Sequence, residues 1–138
     1  MRRPEEEIRR LVAEWIGRAN LDFDTVVRLV GEERFRDIVA FHAQQAAEKY
    51  LKALLTRYQV EFPKTHVIRR LLILLQPVDP ALSQALDEAS WLSPFGAEIR
   101  YPGDRPETTP DDETRAHCLA QKVRDAVMTA LDPYMSGE

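Results

Sequence analysis

Three short segments carry the side chains most suited to chemistry. The first lies within Phe41–Leu55, where His42, Gln45, Lys49 and Lys52 are spaced by three and four residues. At 3.6 residues per turn they fall within about a quarter turn of one helix. A histidine, an amide and two ammonium groups along one edge could hold a phosphate or the edge of a base. The same stripe also fits a solvated flank whose lysines lay their stems on the core. The second segment is Lys64-Thr65-His66. Lys64 sits just before an expected helix start, where free backbone N–H groups favour an anion, although Thr65 as a simple cap beside a surface lysine is the more common origin of such a pattern. The third is Arg100-Tyr101-Pro102-Gly103-Asp104. Arg100 could pair with a phosphate and Tyr101 could stack on a base, while Pro-Gly is a turn signal in any protein.

Helices must position these groups, and the prolines mark where helices stop. Proline inside a helix costs about 3 kcal/mol, so the proline-free stretches 5–62 and 111–132 are the main candidates. The spacing predicts a first helix from Pro4 to Val30, with Glu5, Glu6 and Glu7 at its positive end and Gly31 as its stop. Its apolar stripe includes Ile8, Trp15, Ala19, Phe23, Val26 and Val27. A second helix, Glu33 to Gln59, follows at once and should fold back antiparallel, burying Val39, Ala43, Ala46, Ala47, Tyr50, Leu51 and Leu54.

A third, short helix should run from His66 to Leu75, capped by Thr65 and apolar on nearly every side. A fourth starts at Asp79-Pro80 and fades near Leu92. Ser93–Thr109 then reads as a long irregular loop. A fifth opens on Thr109-Pro110-Asp111-Asp112-Glu113 and stops at Pro133. Nothing alternates with period two, so no sheet is expected. The result is an all-α fold: one domain spanning 1–138, an antiparallel up-and-down bundle of about five helices on a four-helix core.

Composition narrows the function classes. The net charge of −4 and pI of about 5.5 disfavour a broad nucleic-acid surface. The single cysteine, Cys118, permits no internal disulfide and belongs to no zinc pattern, which suits a reducing cytoplasm. The longest apolar run, Leu71–Leu75, is far short of the ~20 residues that span a bilayer. There is no glycine-rich phosphate loop, nucleophile elbow or HExxH pair. Asp22 and Asp24 lie two apart on a helix and point in different directions. Asp111, Asp112 and Glu113 are explained by the helix dipole better than by a metal. No metal, cofactor or catalytic residue is assigned.

The segment Phe41-His42-Ala43-Gln44-Gln45-Ala46-Ala47-Glu48-Lys49-Tyr50-Leu51-Lys52-Ala53-Leu54-Leu55 resembles the FHxQQAAEKxLKALL signature of HEPN domains, the higher eukaryotes and prokaryotes nucleotide-binding family. Lys64-Thr65-His66 and Arg100-Tyr101-Pro102 resemble that family's KTH and RYP segments, and Trp15 through Asp24 its first-helix pattern, all in the family's order. The resemblance implies a helical bundle, a homodimer, and a bacterial or archaeal partner, a minimal nucleotidyltransferase in a toxin–antitoxin-like pair. It also implies a nucleotide- or anion-binding edge at His42, Gln45, Lys49, Lys52, Lys64, His66, Arg100 and Tyr101. Some branches are metal-independent ribonucleases, whose signature is an arginine followed after four to six residues by a histidine. Arg36 and His42 match by count, but they lie about 120° apart on one helix. Neither Arg100 nor Arg105 is followed by such a histidine. Ribonuclease activity is therefore the alternative to a binding module.

Overall fold

The computed structural model describes residues 4–96 and 107–137. Helix α1 spans Glu5–Leu29, α2 Arg36–Arg57, α3 Ile68–Leu75, α4 Pro80–Ala85 and α5 Pro110–Met135. Two 3₁₀ helices, Glu33–Phe35 and Asp87–Gly96, join them, and no strand occurs among the described residues. The fold is an all-α helical bundle. No helix among these residues is long and apolar enough to cross a membrane.

Helix α2 is the axis of the molecule. It packs against α1, α5, α3 and the second 3₁₀ helix. Fourteen of its 22 residues are buried, which leaves little of its circumference to solvent. The run of fully buried alanines, Ala40, Ala43, Ala46, Ala47 and Ala53, lets neighbours approach closely. Helix α1 is antiparallel to α2, because Asp22 meets His42 while Ile8 lies beside Thr56. Helix α5 runs parallel to α2: Thr108 hydrogen-bonds Asp37 at one end, and Arg57 stacks on Tyr134 at the other. The short helices between α2 and α5 return the chain to its starting end, so alternation holds for α1 with α2 and for α1 with α5.

Several element boundaries differ from the sequence expectation. The second helix begins as a 3₁₀ turn and becomes α-helical at Arg36. The third begins at Ile68, not His66. Thr65 is no helix cap, because its hydroxyl accepts from the Val67 N–H and makes a local turn instead. Ser93 Oγ then takes the Ile68 N–H. The third helix is apolar on nearly every side yet packs by one face only, so that Val67 before it is 42% and Ile73 within it 60% exposed. Val27 of α1 is likewise exposed. The fourth helix is α-helical only to Ala85 and tightens into the 3₁₀ stretch that carries Pro94. Helix α5 passes through Pro133 to Met135, forfeiting the one bond that an N–H at position 133 would have made to the Thr129 carbonyl.

The capping expectations hold elsewhere. Asp79 accepts from the Leu82 N–H, Thr109 and Asp112 form a reciprocal capping box, and Gly31 has φ +94° just past α1.

Candidate functional site: two carboxylate-centred trios on the central helix

The expected stripe on α2 is only partly open to solvent, with Gln45 and Lys52 buried and His42 and Lys49 half-buried, and two carboxylates organise it. In the first trio, Asp22 of α1 accepts from His42 Nδ1 at 2.7 Å and from Lys49 Nζ at 2.6 Å. In the second, Glu48 of α2 accepts from Lys52 Nζ at 2.8 Å and from His66 Nδ1 at 2.9 Å. Each trio is thus a carboxylate, a lysine and a histidine. The carboxylates can only accept, so both imidazoles carry their proton on Nδ1. In the neutral imidazole that tautomer leaves the Nε2 of His42 as an acceptor, and the ring meets the Phe41 ring edge to face at 5.2 Å between centroids.

The helix register explains the division. His42 and Lys49 are seven residues apart on the side of α2 that faces α1, where Asp22 lies one turn from Ala19 and Val26. Glu48 and Lys52 are four apart on the side that faces the segment carrying His66. Gln44 and Gln45 lie between the trios. Gln45 Nε2 donates to Gln44 Oε1 at 2.7 Å. Fully buried Gln44 donates to Glu48 at 3.1 Å and to the His66 carbonyl at 2.9 Å. Gly96 closes over this amide: a Cβ there would stand 2.5 Å from Gln44 Cδ.

Burying Glu48 and Lys52, which are 3% and 6% exposed, costs several kcal/mol per ion before pairing offsets it. Such pairs hold geometry better than they add stability. Here the geometry fixed by Glu48 is that of His66, whose side chain is 52% exposed, and Asp22 holds His42, whose side chain is 29% exposed, in the same way.

Of the eight residues expected in the site, His42, Gln45, Lys49, Lys52 and His66 gather on or against α2. Lys49 and Lys52 are ion-paired within the protein, and Lys52 also lies 5.5 Å from the Trp15 ring centroid. Lys64 is exposed, two residues before His66, and makes no ion pair among the described residues. Arg100 and Tyr101 lie outside the described residues. Arg36 starts α2, well over a turn before His42.

Sequence reasoning missed Asp22, Glu48 and Gln44. Asp22 had a usable signal: it interrupts the apolar stripe formed by Ala19, Phe23 and Val26, where a carboxylate must find partners. Among the described residues, no group of three or more His, Cys, Asp or Glu is placed to hold a metal. Cys118 is free and exposed on α5.

No curated protein and no solved structure matches the chain. A family model for the HEPN domain matches residues 12–130, which takes in both trios and all five α-helices in whole or in large part. With the match covering most of its length, the chain belongs to the HEPN domain family.

Proposed function

We propose that this HEPN module binds a nucleotide along the α2 edge, and that it works as a cytoplasmic homodimer partnered with a minimal nucleotidyltransferase in a toxin–antitoxin-like pair. The observation that carries the binding reading is the pair of buried carboxylates that orient His42 and His66, with Lys64, unpaired among the described residues, close in sequence to the second imidazole. Oriented imidazole nitrogens suit the polar edge of a base or a ribose hydroxyl. Lys64 supplies the positive charge that Lys49 and Lys52 have already given to Asp22 and Glu48. What supports the partnership is membership of the family alone.

Calorimetric titration with ATP and GTP tests the binding reading. The wild type is expected to bind one of them, and Lys64→Ala to weaken that binding about tenfold, as expected for one charge-assisted phosphate contact of ~1.4 kcal/mol. Unaltered affinity in Lys64→Ala and His42→Gln would remove the site. Co-purification with a nucleotidyltransferase encoded beside it, and sedimentation of the isolated protein, test the partnership and the dimer separately.

One observation favours ribonuclease as a second reading. Asp22 holds His42 in the tautomer whose Nε2 can accept a proton, the arrangement of a general base. RNA cleavage in EDTA that disappears in His42→Ala would establish it over the binding module.

A further inference from the structure

A cleft of about 470 Å³ opens between the first half of α1 and the turn that follows α2. That volume is in the range of small-ligand and side-chain pockets. None of the residues of the two trios lines it, so a ligand seated here is distinct from a nucleotide on the α2 edge. Its apolar wall is Ile8, Leu11, Trp15, Val60 and Phe62. The Trp15 and Phe62 rings meet edge to face with centroids 6.1 Å apart, and both remain partly exposed.

The polar lining is selective. Glu61 is exposed and has no ion pair among the described residues, and no lining residue is cationic. Lys52 lies near both rings but is buried and bound to Glu48. An anionic ligand would therefore meet an uncompensated carboxylate and no positive lining group. Gln59 also lines the cleft, and its φ of +56° places it in the left-handed region. Glycine satisfies that helix-ending turn at lower strain. The residue kept there instead is a glutamine that lines the cleft.

The geometry points to this cleft as the docking pocket for an arginine side chain of a protein partner. A guanidinium is planar and weakly hydrated, stacks on aromatic faces and pairs bidentately with a carboxylate. Trp15 and Phe62 offer the faces, Glu61 the carboxylate and the Gln59 amide oxygen a further acceptor. Leu11 and Val60 receive the aliphatic stem.

The test uses phenylguanidinium as the arginine probe, phenylurea as its neutral isostere, and guanosine as a planar competitor without charge. Nuclear magnetic resonance of the full chain follows the Trp15 indole and Gln59 side-chain amide signals. Phenylguanidinium should shift both saturably in the millimolar range expected for so small a ligand. Phenylurea should bind at least about fivefold more weakly, and Glu61→Gln should lower phenylguanidinium affinity by about the same factor. Glu61 is exposed and the change is isosteric, so the variant folds. Equal affinity for phenylurea, tighter binding of guanosine, an unaltered Glu61→Gln, or no saturable shift at Trp15 would each overturn the assignment.

Discussion

Tyr50 is fully buried in the middle of α2, with its hydroxyl donating to Asn20 Oδ1. Burial pushes the phenol up from its ordinary 10.0 to about 12, and the Arg124 guanidinium only partly opposes this. The raised value means the folded chain holds the proton more tightly than the unfolded chain does. The resulting stability is complete below pH 10 and is lost as the pH rises through about 12. A rise of that size corresponds to roughly 2–3 kcal/mol. Denaturant unfolding measured from pH 9 upward should therefore show a fall over this window, and Tyr50→Phe should flatten most of it. Some slope should persist, because burial and a hydrogen bond to Glu5 raise Tyr134 as well. An equally steep fall in Tyr50→Phe would assign the loss to other groups.

At the scale of elements, contacts with the turns govern how α2 carries its polar side chains. The end of the second 3₁₀ helix passes so close to Gln44 that only glycine fits at position 96. Gln44 cannot swing aside freely, because it is fully buried and bonded to Glu48, His66 and Gln45. Gly96→Ala should lower stability by about 1–3 kcal/mol, the usual cost of overpacking. Adding Gln44→Ala should recover part of that loss, which a double-mutant cycle in urea reads directly. Additive losses would show that the two positions do not press on each other.

The far end of α2 lacks a glycine where the backbone favours one. Gln59 occupies the left-handed position of a turn in which the Val60 N–H reaches back to the Leu55 carbonyl. Gln59→Gly should raise the urea midpoint by the equivalent of about 0.5–1 kcal/mol, after subtracting glycine's greater freedom in the unfolded chain. An unchanged or lower midpoint would mean that the glutamine side chain makes up for its backbone strain within the protein itself.

For the whole molecule, the central question is how an acidic chain places two lysines and a histidine along its innermost helix, with a second histidine packed against it. Helix α2 has neighbours on almost every side, so groups on its edge cannot reach water as they would on an outer helix. Each lysine must then find a carboxylate: Asp22 is supplied by α1, and Glu48 by α2 itself. The second pair was visible in the linear chain as a four-residue spacing. The first joins residues 27 positions apart and exists only once α1 folds back on α2.

Read from residues alone, the chain determined its helical class, its capping at Asp79 and Thr109, its stop at Gly31 and most of the core face of α2. These depend on periodicity and on local backbone bonds, which neighbours in sequence already specify. The family likeness was legible too, because the signature lies within one helix. Only the tertiary structure decided that α2 is central, that α5 runs parallel to it, that Ser93 rather than Thr65 takes the first N–H of α3, and that Lys49 is neutralised by Asp22. Each of those outcomes rests on which distant side chain comes within hydrogen-bonding distance, and that is settled by packing between elements rather than by the pattern along any one of them.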